Sequence, residues 1–141
     1  MKKIYSNIHP DLLLHIVFRF QDFNQPRTEI IEADNFLQSA AIRANQGQVF
    51  RAHQHIDSEV TYKTKKAQES WVVLRGCIRV TFYDVDDSIL SVVHLMEHDA
   101  CFTLHGGHSF MVLEDNSCIL EFKSGPYEGQ SKDKIWINEQ D

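Results

Sequence analysis

Three histidines and a glutamate are the residues whose types and spacing point most directly to chemistry. His53 and His55 are two positions apart, so on a β-strand both imidazoles would project from the same face. Neutral imidazole is the commonest metal ligand, and two on one face preset two positions of a coordination sphere. An isolated H-x-H pair is equally typical of two surface histidines on an edge strand, so the pair alone does not decide.

Glu69 and His108 are candidates for two further ligands. Glu69 begins an otherwise apolar run that closes at Gly76, and a buried carboxylate is costly unless it is paired or bound to a metal. His108 directly follows Gly106 and Gly107, at the start of a predicted strand. Nitrogen and oxygen donors without thiolate suit Fe(II), Mn(II), Ni(II) or Zn(II) about equally well, so the residue types leave the identity of the metal open.

These residues must be positioned by β-strands. From Gln48 onward the pattern has mostly period two, with turn residues every ~8–12 positions, which favours an antiparallel sandwich or barrel. The predicted strands cover 71–74, 78–83, 89–95, 101–104, 109–113 and 118–123, with a hairpin joining the second to the third. The first 45 residues are less regular: 14–20 favours a strand, and 36–43 fits either a strand or a short helical turn.

Length and composition limit the classes of protein. A chain of 141 residues predicts one domain, able to bury close to ~70% of the surface that it exposes when unfolded. The net charge of -6, without a block of Lys and Arg, argues against nucleic acid as a partner. Apolar runs far shorter than ~20 residues argue against a membrane-spanning helix, and we predict a cytoplasmic protein. Three widely spaced cysteines without C-x-x-C indicate neither a disulfide framework nor a zinc knuckle, so we expect reduced thiols buried in strands.

The spacing of these residues resembles the first motif of the cupin superfamily, G-x5-H-x-H-x(n)-E-x6-G. Gly47, His53, His55, Glu69 and Gly76 match it, with a longer insertion between His55 and Glu69. The second motif matches more loosely. His108 falls where the family places its last histidine, but the proline that usually precedes this region is absent.

The chain from 34 to 134 resembles more closely the small single-domain cupins encoded in polysaccharide-biosynthesis loci. The residues that carry this likeness are Gln68 to Leu74, Gly106 to His108, Gly125 to Gly129, Asp133 and Lys134. The resemblance implies an all-β fold, the cupin double-stranded β-helix or jelly-roll barrel, as a single domain over 1–141. Its barrel core would cover about 36–123, with extended N- and C-terminal segments. It also implies a divalent transition metal held inside the barrel by His53, His55, Glu69 and His108.

Strand parity gives candidates for contact with a ligand. Arg51 shares its predicted face with His53 and His55, and an inward guanidinium would need an anionic partner. Trp71 shares a face with Glu69, and Phe110 with His108; either ring can stack on a sugar or base, although a plain core role is the favoured alternative. The list of candidate substrate-binding residues is completed by Lys63, in the insertion, and His105, beside the glycine pair.

These observations favour a metal-binding cupin that acts on, or recognises, a small sugar or sugar nucleotide in polysaccharide biosynthesis. The ligand would be a small molecule, and an anionic sugar derivative is the candidate. A non-catalytic ligand-binding cupin and an Fe(II)-dependent dioxygenase are the alternatives, and no acid–base pair outside the metal ligands stands out to decide whether the chain is an enzyme. Small cupins commonly dimerise, and the N-terminal segment and the apolar residues 135–137 offer surface for it, so we predict a homodimer.

Overall fold

The computed structural model describes residues 1–32, 35–49, 66–124 and 134–137. In these ranges, ten strands run in chain order: β1 (Lys2–Tyr5), β2 (Leu13–Phe18), β3 (Arg27–Glu29), β4 (Ala40–Ile42), β5 (Glu69–Arg75), β6 (Ile78–Tyr83), β7 (Ile89–Leu95), β8 (Ala100–Thr103), β9 (Gly107–Val112) and β10 (Cys118–Lys123). One turn of 3-10 helix, Phe20–Asp22, is the only helix in the described ranges. All of the strand pairs are antiparallel, which confirms the all-β prediction.

The strands form two main sheets. The larger has five strands in the order β1-β2-β8-β5-β10, and the smaller has three in the order β7-β6-β9. A separate two-stranded sheet pairs β3 with β4. Apart from β1 and β2, neighbouring strands of the larger sheet are distant in sequence, so its order depends on non-local pairing.

The two main sheets share an apolar core, here called the inter-sheet cluster. The five-stranded sheet contributes alternate residues of its strands, as the two-residue repeat of a β-strand requires. The three-stranded sheet contributes alternate residues of β6 and β7. The buried members are Ile4, Val17, Trp71, Val73, Ile78, Val80, Phe82, Val93, Leu95 and Cys101.

The other face of the five-stranded sheet packs against the segment between β2 and β4. This outer cluster consists of the opposite-parity residues of β2 and β8 together with residues of that segment: Ile16, Phe18, Ile30, Ile31, Ala41, Ala100, Phe102 and Leu104. Because β2 is buried on both faces, its sequence is nearly continuously apolar instead of alternating. The central strands are thereby held from two sides.

One line of side chains across the larger sheet is polar. His15 of β2 pairs with Thr103 of β8, Thr103 pairs with Glu69 of β5, and Glu69 pairs with Lys123 of β10. Each lies an even number of positions along its strand from a residue that packs in the inter-sheet cluster, so all four side chains project toward the smaller sheet. We call His15, Thr103, Glu69 and Lys123 the polar row.

Hydrogen bonds tie the N-terminal segment to the smaller sheet near this row. The buried carboxylate of Asp84 accepts from the Ser6 hydroxyl at 2.6 Å, the Asn7 amide at 2.6 Å and the Val85 amide at 2.7 Å. Burial alone would raise the pKa of Asp84, but these donors hold it below its usual value. The connection after β1 is thereby fixed to the end of β6.

The strands after residue 68 follow the predicted pattern closely, and those before it less so. The bounds predicted for β6, β7 and β10 agree with the structure, and the β6–β7 hairpin is confirmed. The predicted strand 14–20 is β2, but it ends at Phe18 because the chain turns into the 3-10 helix at Phe20. Within 36–43 only Ala40–Ile42 is a strand.

The cysteines and the tail were predicted in part. Cys77 and Cys101 are buried free thiols, but Cys77 precedes β6 and so does not lie in a strand. Cys118 is exposed, because it lies at the start of β10 beside a register shift.

In the tail, Ile137 lies against Gly107, whereas Ile135 and Trp136 are 97% and 72% exposed. The homodimer stays a prediction. Within the described ranges, no helix has the length and apolar character needed to cross a membrane.

Candidate functional site

Glu69 and His108 meet between the two sheets. Glu69 opens β5 of the larger sheet, and His108 is the second residue of β9 in the smaller sheet. The His108 Nε2 atom lies 3.6 Å from the Glu69 Oε1 atom. The Glu69 side chain is 8% exposed and that of His108 is 21% exposed, so the contact is largely shielded from water. Two residues distant in sequence are thus brought together by the fold.

Two aromatic rings form one wall beside this contact. The indole of Trp71 meets the imidazole of His108 edge to face, with ring centroids 4.6 Å apart, and meets Phe110 with centroids 4.8 Å apart. Trp71 is buried, whereas Phe110 is 43% exposed. Phe110 therefore lies where the wall reaches solvent.

Strand β10, which pairs with β5, places two charged residues beside Glu69 and Trp71. Lys123 places its Nζ atom 3.8 Å from the Glu69 Oε2 atom, and Glu121 accepts a hydrogen bond from the Trp71 indole nitrogen at 3.3 Å. The two carboxylate oxygens of Glu69 therefore face different partners, His108 on one side and Lys123 on the other.

The electrostatics of this cluster keep Glu69 ionised. Burial by itself raises the pKa of Glu69, but the neighbouring His108 and the charge of Lys123 outweigh it, so the pKa lies below its usual range. An ionised, oriented carboxylate is the form that binds a cation.

The geometry of Glu69 and His108 is compatible with a shared metal ion. Two donors that are each about 2.1 Å from one ion lie roughly 3.0–3.4 Å apart, close to the observed 3.6 Å. The Nδ1 atom of His108 is buried without a hydrogen-bond partner in the described part of the chain. A buried unpaired nitrogen is unfavourable, and a further polar partner is needed to relieve that cost, because an ion shared with Glu69 would be held by the Nε2 atom. Within the described ranges there is no group of three or more metal-ligating side chains, so Glu69 and His108 supply only part of a coordination sphere.

His15 is a buried polar residue of the same region. Its Nε2 atom lies 3.1 Å from the Tyr83 carbonyl oxygen, and its Nδ1 atom lies 3.1 Å from the Thr103 hydroxyl. A carbonyl can only accept, so Nε2 carries the proton and Nδ1 accepts from Thr103. The ring stacks on Phe82 with centroids 4.4 Å apart. Burial lowers the pKa of His15 to about 4, so the imidazole is neutral at pH 7.

This lowered pKa predicts a loss of stability in acid. The unfolded chain takes up a proton at His15 near pH 6.5 and the folded chain only near pH 4, so the free energy of unfolding should fall between these values by about 3 kcal/mol. Urea denaturation at several pH values between 7 and 4 should show a steeper decline in the wild type than in His15→Gln, which lacks this titration. Equal declines in the two proteins would contradict the assignment.

Of the remaining candidates, one lies within the described residues and four lie outside them. His105 is half-buried in the connection between β8 and β9, where burial first and the charge of Lys66 second lower its pKa. No described contact joins it to Glu69 or His108. The candidates that lie outside the described residues are Arg51, His53, His55 and Lys63.

Sequence reasoning missed three members of the site region. Lys123 and Glu121 belong to a correctly predicted strand, and their parity with Ile119, which packs on the inter-sheet cluster, was the available signal. His15 could not be assigned from its local pattern, because only the pairing of β2 with β8 brings it beside Thr103. All three residues gain their partners only through non-local strand pairing.

Comparison with known proteins gives no relative from which a function could be transferred. No protein-family model, curated protein or solved structure matches this chain.

Proposed function

We propose that this chain is a small metal-binding cupin, in which Glu69 and His108, together with His53 and His55, hold one divalent transition metal. The observation that carries the proposal is the contact of Glu69 with His108 across the two sheets. His53 and His55 are included because their spacing from Glu69 resembles the first cupin motif. Iron, manganese, nickel and zinc all remain compatible with these donors.

The order of the strands supports a jelly-roll barrel as the architecture. Strands β5, β8 and β10 belong to the larger sheet, and β6, β7 and β9 belong to the smaller. The chain therefore crosses between the sheets at every step from β5 to β10 except the β6–β7 hairpin. This alternation is typical of the last six strands of a jelly roll, which has eight.

The proposed role of the site is to bind a small ligand beside the metal. A bound divalent ion would polarise an oxygen atom of that ligand. Trp71 shields the ion from water, Phe110 offers an exposed ring at the entrance, and Lys123 provides a positive charge. A small sugar derivative fits these properties, since sugars pack their apolar faces on aromatic rings. The proposal covers binding; turnover of a sugar nucleotide and oxygen chemistry at Fe(II) are further possibilities for the same residues.

Metal titration tests the proposal. The full chain, stripped with a chelator, should bind about one equivalent of Ni²⁺ or Zn²⁺ by calorimetry. His108→Ala and Glu69→Gln should each lower the affinity at least about a hundredfold, since loss of a partner that only supports a ligand already costs 10–100-fold. His53→Ala should act similarly.

His94→Ala is the matched control, because His94 is an exposed histidine of β7. It should bind metal like the wild type, and circular dichroism should show that all variants are folded. A wild-type chain without stoichiometric metal would overturn the proposal, as would an equal loss in His94→Ala and His108→Ala.

A further inference from the structure

The outer face of the three-stranded sheet, which is turned away from the inter-sheet cluster, carries a groove. Its volume is about 870 Å³. The β6 residues that alternate with the buried ones form its floor, as the two-residue repeat of a strand requires: Arg79, Thr81 and Tyr83. The turn between β6 and β7 lies at one end. Neither Glu69 nor His108 lines this groove, so it is a second feature of the surface.

The walls of the groove expose apolar side chains. Ile89 and Val92 of β7 and Met111 of β9 line it, and each of these side chains is more than half exposed. Apolar residues scattered singly over a surface are ordinary, but neighbouring ones that form a patch mark a site of interaction. The face is therefore suited to contact with another molecule.

The C-terminal tail extends the same apolar face. Gly107 lies an even number of positions from Met111 on β9, so both face outward, and a Cβ atom at Gly107 would meet the side chain of Ile137. Ile137 therefore lies on the outer face, next to the groove. Ile135 and Trp136, which directly precede it, are largely exposed. Tryptophan is among the residue types most enriched at the energetic centres of protein interfaces.

The two ends of the groove carry opposite charges. Arg79 lies near the start of β6 and Asp87 in the turn that follows β6, and neither side chain has an ion-pair or hydrogen-bond partner within the described part of the chain. Asp86 differs, because its carboxylate accepts from the Ser88 hydroxyl at 2.6 Å. Arg79 and Asp87 do not pair with each other, since most of the length of β6 lies between them.

This arrangement of charges is complementary to itself. When a second copy faces the groove with its β6 antiparallel to the first, a two-fold axis relates the copies, and Arg79 of each copy faces Asp87 of the other. The apolar side chains of both copies then meet between the two charge pairs. The net charge of -6 makes two copies repel each other in most orientations, so local pairing of opposite charges favours this one.

We propose that the outer face of the three-stranded sheet, together with Ile135 and Trp136, is the interface of a homodimer in which Arg79 of each copy pairs with Asp87 of the other. The inference is independent of the proposed metal site, which lies on the opposite face of this sheet. It gives the homodimer expected from the sequence a surface and a symmetry.

Sedimentation equilibrium of the full chain tests this interface. The wild type should form a dimer that dissociates in the range of about 1–10 µM, as expected for an interface of modest size. Arg79→Glu and Asp87→Lys each place like charges opposite each other, so each should raise the dissociation constant at least about tenfold. An equimolar mixture of these two variants should dimerise again, because opposite charges then face each other at both ends of the interface.

Matched controls separate the interface from general effects of charge and apolar area. Arg75→Glu reverses the charge of an exposed arginine of β5 and should dimerise like the wild type. Trp136→Ala should raise the dissociation constant at least about tenfold, as loss of an interface tryptophan does. Phe122→Ala removes an exposed ring of the larger sheet and should leave that constant unchanged. Circular dichroism should show that all variants are folded.

A wild type that is monomeric at about 100 µM would overturn the inference, since a specific dimer should be populated at that concentration. A dimer with the same dissociation constant in the wild type, Arg79→Glu and Trp136→Ala would also overturn it, because the copies would then meet at another surface. A mixture of folded Arg79→Glu and Asp87→Lys that stays monomeric would contradict the pairing of these two residues.

Discussion

Replacing Phe82 by alanine should lower the free energy of unfolding by about 3–5 kcal/mol, a large part of the stability of a domain this size. Phe82 is fully buried at the centre of the inter-sheet cluster. Its ring stacks on His15, and its register partner on β9 is His108. The substitution would leave a cavity between the sheets and remove the support of both imidazoles.

Urea denaturation measures this effect as a lower midpoint with little change in slope. Two substitutions serve as controls. Phe82→Leu keeps most of the volume and should cost about 1 kcal/mol, and Phe122→Ala removes a ring that is 51% exposed and should cost about 1 kcal/mol or less. Similar losses in Phe82→Ala and Phe122→Ala would show that the inter-sheet core does not depend on this ring.

Replacing Gly106 by alanine should lower the free energy of unfolding by about 2–4 kcal/mol, through two separate causes. Gly106 has a φ of +75°, a conformation that is unfavourable for a residue with a Cβ atom. A Cβ atom there would also lie 2.4 Å from the Tyr83 carbonyl oxygen and 3.2 Å from the His15 Nε2 atom. Because the Tyr83 carbonyl is part of the backbone, it cannot rotate away as a side chain can. The turn would therefore have to shift, and the start of β9 would shift with it.

Gly47→Ala separates the two causes. Gly47 has a similar φ of +84°, but no atom of the described residues lies within 4 Å of the position of its Cβ atom. This variant should therefore show the conformational cost alone, about 1–2 kcal/mol. The difference between the two variants measures the steric contact of the turn with Tyr83 and His15. If Gly106→Ala is no less stable than Gly47→Ala, that contact is not a constraint.

The strands of the second half could be predicted because each carries its own signal. In β6, Ile78, Val80 and Phe82 alternate with residues of the other face, and the acidic turn after Tyr83 marks its end. Strands of the first half do not have this signal. β2 is buried on both faces and lacks alternation, and β1 and β3 have only four and three residues, so their pairing with neighbours decides their structure.

The candidate site could be predicted only where a residue type is itself informative. Glu69 stood out as a carboxylate at the start of an apolar strand, and His108 as a histidine after a glycine pair. Lys123 and His15 did not, because a lysine at the end of a strand or a histidine in an irregular region is ordinary in sequence. Their importance follows from the pairing of β10 with β5 and of β2 with β8, which local patterns do not specify.

The polar row also specifies how the strands can pair. Since side chains alternate between the two faces, a slip of β10 by one residue against β5 would carry Lys123 and Glu121 to the face of Val72 and the outer cluster. Leu120 and Phe122 would then replace them beside Glu69, leaving that carboxylate buried without its cation. The shifted register is thus disfavoured by the same charges that are proposed to hold an ion and its ligand. The polar row therefore also specifies the register of β10 against β5, and a redesign that made this row apolar would remove that constraint.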